Sequence, residues 1–276
     1  MVEDGEFIRH VACPHCGSSD ANALYSNGKH YCFSCQTLTP ANRNEEVMAK
    51  LETHDTMFLD IDYRELSKRG ISQKTCEFWG YGVSDYKGQK VQVANYRDRS
   101  GQLHAQKLRF ANKDFSVVGN LKEVNLFGEH LWRDGGKHII ICEGEIDAMS
   151  MSQAQDNKYP VVSLPSGCTS AKKAVGRSIE WLNKFEFITL MFDMDDVGQK
   201  AAKECASILP PNKARIASLP LKDANEMLVA GRVKELIDAF WGSKVYRPDG
   251  IVAGTDVWDM RRGFFSINAL WKNKVA

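Results

Sequence analysis

No apolar run in this 276-residue chain approaches the ~20 residues that a membrane-spanning helix needs. The opening residues, MVEDGEFIRH, also lack the charged-then-apolar pattern of a secretory leader. The expected location is therefore the cytoplasm, with no membrane partner. Net charge is nearly absent: 36 Lys and Arg face 35 Asp and Glu, for +1 overall, too little for bulk attraction to nucleic acid. The phosphate-loop patterns GxxxxGKS and GxxxxGKT are missing, so DNA unwinding driven by NTP hydrolysis is not expected of these residues. What is left is ordinary globular composition, 43% hydrophobic and 26% charged, with length for one large domain or two modest ones.

Eight cysteines without a leader are not expected to be disulfide staples. Four of them form two CxxC pairs, Cys13-Pro14-His15-Cys16 and Cys32-Phe33-Ser34-Cys35, with fifteen residues between. Each knuckle lets two thiolates reach one ion, and together they complete a tetrahedral Zn²⁺ site. The intervening ALYSNGKHYC, with Asn27-Gly28 at its turn, predicts a hairpin that brings the second pair back to the first. Residues 1–38 thus read as a small zinc ribbon of β structure, too short to fold without the metal's binding energy. Cys76, Cys142, Cys168 and Cys205 sit singly in apolar contexts and read as core thiols. Residues 39–56 lose any sustained apolar period and read as a flexible linker.

Between Lys87 and Lys113 seven Lys or Arg residues accompany one acid, Asp98. KVQVANYRD and QLHAQKLRF flank Arg99-Ser100-Gly101 as a hairpin. Strand alternation puts Lys107 and Arg109 on one face, with Lys113 just beyond. The basic patch therefore has a directed side, which favours a phosphate-binding groove over a merely solvated surface. Two short helices are expected over residues 62–79, the first ended by Gly70 and the second capped by Ser72. Residues 57–136 together read as a mixed α+β subdomain.

From Lys137 onward strands and helices alternate: HIIIC, a helix to about Gln155, PVVSL, the helix KKAVGRSIEWLNKF, FITLMF, a helix from Val197 to Leu209, and ARIASL. A last helix is expected from a cap at Asn225 to about Trp241. This alternation predicts a parallel sheet covered by helices over residues 137–245. Ligands of open sheets gather outside the carboxyl ends of the strands. Glu143 follows HIIIC directly, Asp193 follows FITLMF, and Asp223 comes shortly after ARIASL, while Asp147 and Asp195 lie just behind the first two. A lone acid at a strand end is commonly a helix cap, the role expected of Asp196. Five on one rim repel one another unless a cation joins them or some are protonated. Hard oxygen ligands suit Mg²⁺, or Mn²⁺ in its place, and point to metal-assisted phosphoryl transfer.

Glu143-Gly144 after one strand, with Asp193-x-Asp195 after a later one, resembles the TOPRIM domain of primases, topoisomerases and some nucleases. The chain carries CPHCGSSDANALYSNGKHYCFSC, RGISQKTC, VANYRD, LFGEHLW, EGEIDAMS, KYPVVSL, LMFDMDDVGQKA and LPLKDANE in this order. From about Cys13 to Val252 it resembles the primase half of the bifunctional primase–helicases of podovirus-type bacteriophages, with mitochondrial Twinkle a more distant relative. The implied activity is that of a DNA primase, making short RNA primers from NTPs on single-stranded DNA at a replication fork in the host cytoplasm.

By resemblance, Glu143, Asp193, Asp195 and Asp223 hold catalytic Mg²⁺, and Asp147, Lys107 and Lys113 complete the catalytic set. Arg69, Arg97, Arg109 and Lys122 are implied along the nucleotide or template path. The zinc ribbon is implied to read a template trinucleotide through Asn27, Lys29, His30 and Tyr31, and to hand the RNA primer to a DNA polymerase. Asn27 and Lys29 stand where close relatives carry Asp and His, so the trinucleotide itself is not implied. Residues 246–276, with Arg261, Arg262, Lys272, Lys274, Phe264, Phe265 and Trp271, would be a tail or a link toward a replicative helicase, fused or separate. A TOPRIM nuclease or topoisomerase, and a non-catalytic zinc-dependent DNA-binding accessory protein, are the alternative readings.

Overall fold

The structure is a computed structural model that describes residues 6–27, 29–39 and 58–248. The hairpin's Gly28, the expected linker from residue 40 and the expected tail from residue 249 lie outside the described residues. The chain forms two compact units, residues 1–57 and 58–276. Among the described residues no helix is long and apolar enough to cross a membrane.

In the first unit β1 (Phe7–Val11), β2 (Asn22–Tyr25), β3 (His30–Cys32) and β4 (Leu38–Thr39) form an antiparallel sheet in that order. β2 and β3 are the expected hairpin, with Asn22 opposite Cys32 and Leu24 opposite His30. β1 and β4 flank it as further strands, one largely exposed and the other only two residues long, so neither announces itself in the sequence. Cys13, Ala23 and Cys32 are the buried apolar side chains described here. So small a core cannot by itself offset the entropy of ordering the segment.

The second unit begins with a single 3₁₀ turn, Ser67–Arg69, where a helix was expected, and Gly70 ends it in the left-handed conformation. α1 (Gln73–Trp79) follows, with the Ser72 hydroxyl accepting the Thr75 N–H as expected of its cap. β5 (Tyr81–Tyr86), β6 (Gln89–Arg97), β7 (Leu103–Arg109) and β8 (Phe115–Gly119) form an antiparallel meander. The expected hairpin is its centre, β6 and β7.

A five-stranded sheet follows: β9 (Gly136–Cys142), β10 (Val161–Ser163), β11 (Phe185–Met191), β12 (Ala214–Ile216) and β13 (Lys244–Val245). Its order is β10-β9-β11-β12-β13, parallel except for β13, which adds an unexpected antiparallel edge. Helices α2 (Glu145–Ala154), α3 (Ala171–Arg177), α4 (Ile179–Leu182), α5 (Asp196–Ala206), α6 (Ala224–Val229) and α7 (Val233–Trp241) cover it. Two expected helices are each broken in two. One interrupts at Ser178; the other interrupts around Gly231, whose φ of 72° no helix tolerates.

Side chains of β9 alternate between two cores. Ile140 and Cys142 pack with Met149, Met227 and Phe240 beneath α2, α6 and α7. Ile139 and Ile141 pack with Val175, Leu182 and Ala202 beneath α3, α4 and α5. β9 connects through α2 to β10 on one side, and β11 through α5 to β12 on the other. Chain order therefore reverses between β9 and β11, and the crevice this leaves at their carboxyl ends is where an open α/β sheet binds its ligands.

Candidate active site and zinc centre

In the first unit the ligand atoms of Cys13, Cys16, Cys32 and Cys35 all lie within 4.8 Å of one another. Cys13 Sγ is 3.7 Å from Cys35 Sγ, and Cys16 Sγ is 3.7 Å from Cys32 Sγ. Four sulfurs placed tetrahedrally about 2.3 Å from a zinc ion would stand about 3.8 Å apart, so the set fits a closed structural Zn²⁺ site. Knuckle N–H groups of His15 and Cys16 point at Cys13, and those of Ser34 and Cys35 at Cys32. The Thr37 hydroxyl, 3.2 Å from Cys35 Sγ, draws that thiol down to about 6. The backbone donors favour the thiolate, the form that binds zinc, although burial and the neighbouring Cys13 and Cys35 thiols hold Cys32 up at about 11.

The candidate base-reading residues cluster at one end of the same hairpin. The Asn27 side chain accepts the Lys29 N–H at 3.1 Å and shapes the turn. Beside it on β3, His30 Nδ1 lies 3.5 Å from Asn22 Nδ2, and the Tyr31 ring meets exposed Phe33 edge-on at 5.0 Å.

In the second unit the acids converge on the crevice between β9 and β11. Cys142 pairs with Met191 in the parallel ladder, so Glu143 leaves β9 level with the end of β11. The Asp193 N–H donates to Glu143 Oε2 at 3.4 Å. Asp147, on the first turn of α2, accepts the Asn225 N–H at 3.2 Å. Asp195 caps α5 through Gly198 N–H at 2.9 Å, and Asp223 caps α6 through Glu226 N–H at 2.7 Å. Two caps are thereby corrected: Asp196 is the first residue of α5 rather than its cap, and the cap of α6 is Asp223 rather than Asn225. Capping and membership of the rim are not alternatives, because a carboxylate has two oxygens and each cap uses Oδ1 alone. Gly198 is needed for this arrangement, since an added Cβ would stand 2.4 Å from the Asp193 carbonyl oxygen.

The rim carries the electrostatic strain of gathered acids. Burial first, then the charges of Asp223 and Asp193, push Asp147 well above the usual carboxylate range. Burial and Glu143 raise Asp193 to about 6, with Lys222 pulling the other way. Such acids favour a bound cation. Among the described residues the four cysteines are the one group of three or more metal-ligating side chains close enough together to hold an ion. Mg²⁺ needs no closed cage of this kind, since it takes one or two carboxylates and completes its shell with waters and phosphates.

Sequence reasoning missed several neighbours of the rim. Lys222 Nζ lies 3.3 Å from Asp193 Oδ2. Cys168 packs against the second core as expected, but only partly buried and beside Glu143; burial together with that carboxylate holds its thiol above the ordinary value. Glu145 accepts Lys107 Nζ at 2.7 Å and the Tyr96 hydroxyl at 2.6 Å, while Lys107 also reaches the Pro165 carbonyl at 2.9 Å. The pair is largely buried, at 14% and 12% exposure. The structure thus places Lys107 in a clamp between the meander and the parallel sheet.

Arg109 and Lys107 do share a face, since both stand over the Phe115 ring. Arg109 and Lys113 line a cleft of about 460 Å³ with Arg64, Lys68, Arg69 and Lys90, and Glu65 is its one acid. Arg97 and Lys122 lie outside that cleft; the Arg97 guanidinium donates to the Gly101 carbonyl, and Lys122 sits on a 3₁₀ turn capped by Asn120. Cleft and rim are joined through buried Asn225. Its side chain exchanges hydrogen bonds with Arg69, at 3.2 and 2.8 Å, while its N–H serves Asp147.

Two family models match this second unit: "Bacteriophage T7 DNA helicase/primase, N-terminal a+b fold" over residues 62–119, and "Toprim-like" over residues 140–228. The primase fragment of the bacteriophage T7 primase-helicase is 40% identical, covers 86% of this chain and all of its own, and superposes with a TM-score of 0.64. The chain belongs to the T7-type DNA helicase/primase family. Within that family, the DNA helicase/primase of Enterobacteria phage T3 is 42% identical over 271 residues, 93% of this chain and 47% of the relative. The chain spans about half the length of the curated relatives it matches. A structure of T7 lagging-strand DNA polymerase interacting with primase domains of two gp4 subunits, bound to an RNA/DNA hybrid and dTTP, matches at 43% identity. It covers 70% of this chain and 98% of its own, with a TM-score of 0.66. The expected zinc ribbon, TOPRIM-type α/β domain and mixed α+β subdomain are thus the primase architecture of this T7-type family.

Proposed function

We propose that the protein is a DNA primase, a nucleotidyltransferase that makes short RNA primers on single-stranded DNA. The observation that carries this reading is the convergence of Glu143 and Asp193 at the crevice where the sheet reverses its order, beside Asp147, Asp195 and Asp223. Glu143, Asp193, Asp195 and Asp223 would hold Mg²⁺, which supplies charge neutralisation for phosphoryl transfer when bound. The protein's own contribution is placement. Caps on α5 and α6 fix two carboxylates, the parallel ladder fixes Glu143 against Asp193, and Asn225 ties Asp147 to the cleft wall. Arg69, Arg109 and Lys113 line a basic groove suited to NTP or template phosphates. Lys107, clamped on Glu145, holds the meander against the rim.

The zinc ribbon reads template bases with Asn27, Lys29, His30 and Tyr31, and stacking on exposed aromatics suits unpaired bases. A replicative helicase, and a DNA polymerase that receives the primer, are the partners that suit a member of this family, working in the host cytoplasm. The test is incubation with a library of single-stranded templates, Mg²⁺ and labelled NTPs. Short oligoribonucleotides should form with wild type and vanish with Asp193→Ala. Strand nicking without NTP incorporation would instead support a nuclease, and no reaction on any template a non-catalytic accessory role.

A further inference from the structure

Lys222 belongs to neither the basic cleft nor the expected site residues, yet among the ion pairs described it is the cation that reaches one of the five acids, Asp193. Its ammonium lies 3.3 Å from Asp193 Oδ2, and the charges of Asp223 and Asp195 also act on it. Its backbone is pinned on both sides. The Lys222 carbonyl accepts the Met194 N–H at 2.8 Å, and its own N–H donates toward Glu226 Oε2 at 3.3 Å. The first bond ties the loop before α6 to the loop after β11, so Lys222 starts from a fixed point beside Asp193. Its side chain is 53% exposed, against 18% for Asp193, which leaves the ammonium free to swing toward water. Lys107, the other ammonium near the catalytic face, is committed to Glu145.

We propose that Lys222 is a built-in counter-ion of the acid rim, a positioning residue that holds Asp193 until a divalent cation displaces it. This rests on the reading of the rim as a Mg²⁺ site. An ammonium and a divalent ion on the same carboxylate repel each other even across its two oxygens, so metal entry must push Lys222 away or bind against its charge, and every binding event carries that cost. Lys222 therefore lowers the site's affinity for metal while keeping the carboxylates gathered in its absence. A plain surface ion pair has no such consequence, because its removal leaves metal binding as it was.

The test measures Mn²⁺ binding to the zinc-loaded full chain by electron paramagnetic resonance of the free ion, without nucleotide. Lys222→Met and Lys222→Gln should bind Mn²⁺ roughly three- to tenfold more tightly than wild type in low salt. Lys222→Arg, which keeps the charge, should bind as wild type does. Unchanged or weaker binding in both neutral variants would overturn the proposal. Asp193→Asn separates the two levels of argument. If it binds Mn²⁺ like wild type, the rim is not the metal site and the counter-ion falls with it. If it loses binding while the Lys222 variants match wild type, only the counter-ion falls.

Discussion

Replacing Asp193 by Asn should stabilise the second unit in magnesium-free buffer, even as it removes a proposed metal ligand. The Asp193 side chain is 18% exposed, and burial with Glu143 raises its carboxyl from 3.8 to about 6. The folded protein therefore holds this proton more tightly than the unfolded chain. Below about pH 4 both states are protonated and nothing is lost. Between about pH 4 and 6 the unfolded chain ionises first, so stability falls as pH rises, and above about 6 the loss is complete. A shift of this size is worth about 3 kcal/mol. Asn carries no charge to desolvate, but it gives up the half-exposed Lys222 pair, worth up to about 1 kcal/mol. The net gain expected near pH 7.5 is thus about 2–3 kcal/mol. Tryptophan fluorescence during urea unfolding reads this directly, because Trp79 is the first tryptophan of the chain and the signal comes from the second unit alone. The advantage should vanish near pH 4, and Mg²⁺ should close the gap by stabilising wild type. An Asp193→Asn protein no more stable than wild type at pH 7.5 without Mg²⁺ would refute the reasoning.

Glu145→Ala strands the Lys107 ammonium in a largely buried place and should cost about 3–5 kcal/mol in the same urea titration. Gly198→Ala should leave the circular dichroism spectrum native yet lower primer synthesis at least about tenfold, since its methyl displaces the Asp193 backbone and misplaced catalytic groups lose about this much or more. Cys16→Ser with Cys32→Ser should take zinc content from one ion per chain to none by metal analysis, while the tryptophan transition of the second unit stays where it was.

The parallel sheet was legible because its strands are short apolar runs followed by helical periods, and the acid rim because its members sit at strand ends. The four-cysteine cluster was legible from spacing alone. Local choices between neighbours were not. Asp195 and Asp196 are both good caps, and only the turn that brings Gly198 N–H to Asp195 decides between them. Gly231 lies in plain view as a helix stop, but the apolar residues on both sides suggested one continuous helix. Lys107 and Glu145 are 38 positions apart, and no periodic pattern links a strand of one sheet to a helix covering another. Lys222 had a signal, its place directly before Asp223, but the charge of a loop lysine says nothing of its partner.

The pairing of β9 with β11 has one more consequence. Glu143 and Asp193 are set against each other by main-chain hydrogen bonds from Phe185 opposite Gly136 to Met191 opposite Cys142. Side chains on the two faces of that ladder feed separate cores, so either core can exchange Ile for Val, or Leu for Met, without shifting the ladder's register. Divergence can therefore rewrite most of the buried sequence here while the two carboxylates keep their separation, as though measured on a ruler that the side chains never touch.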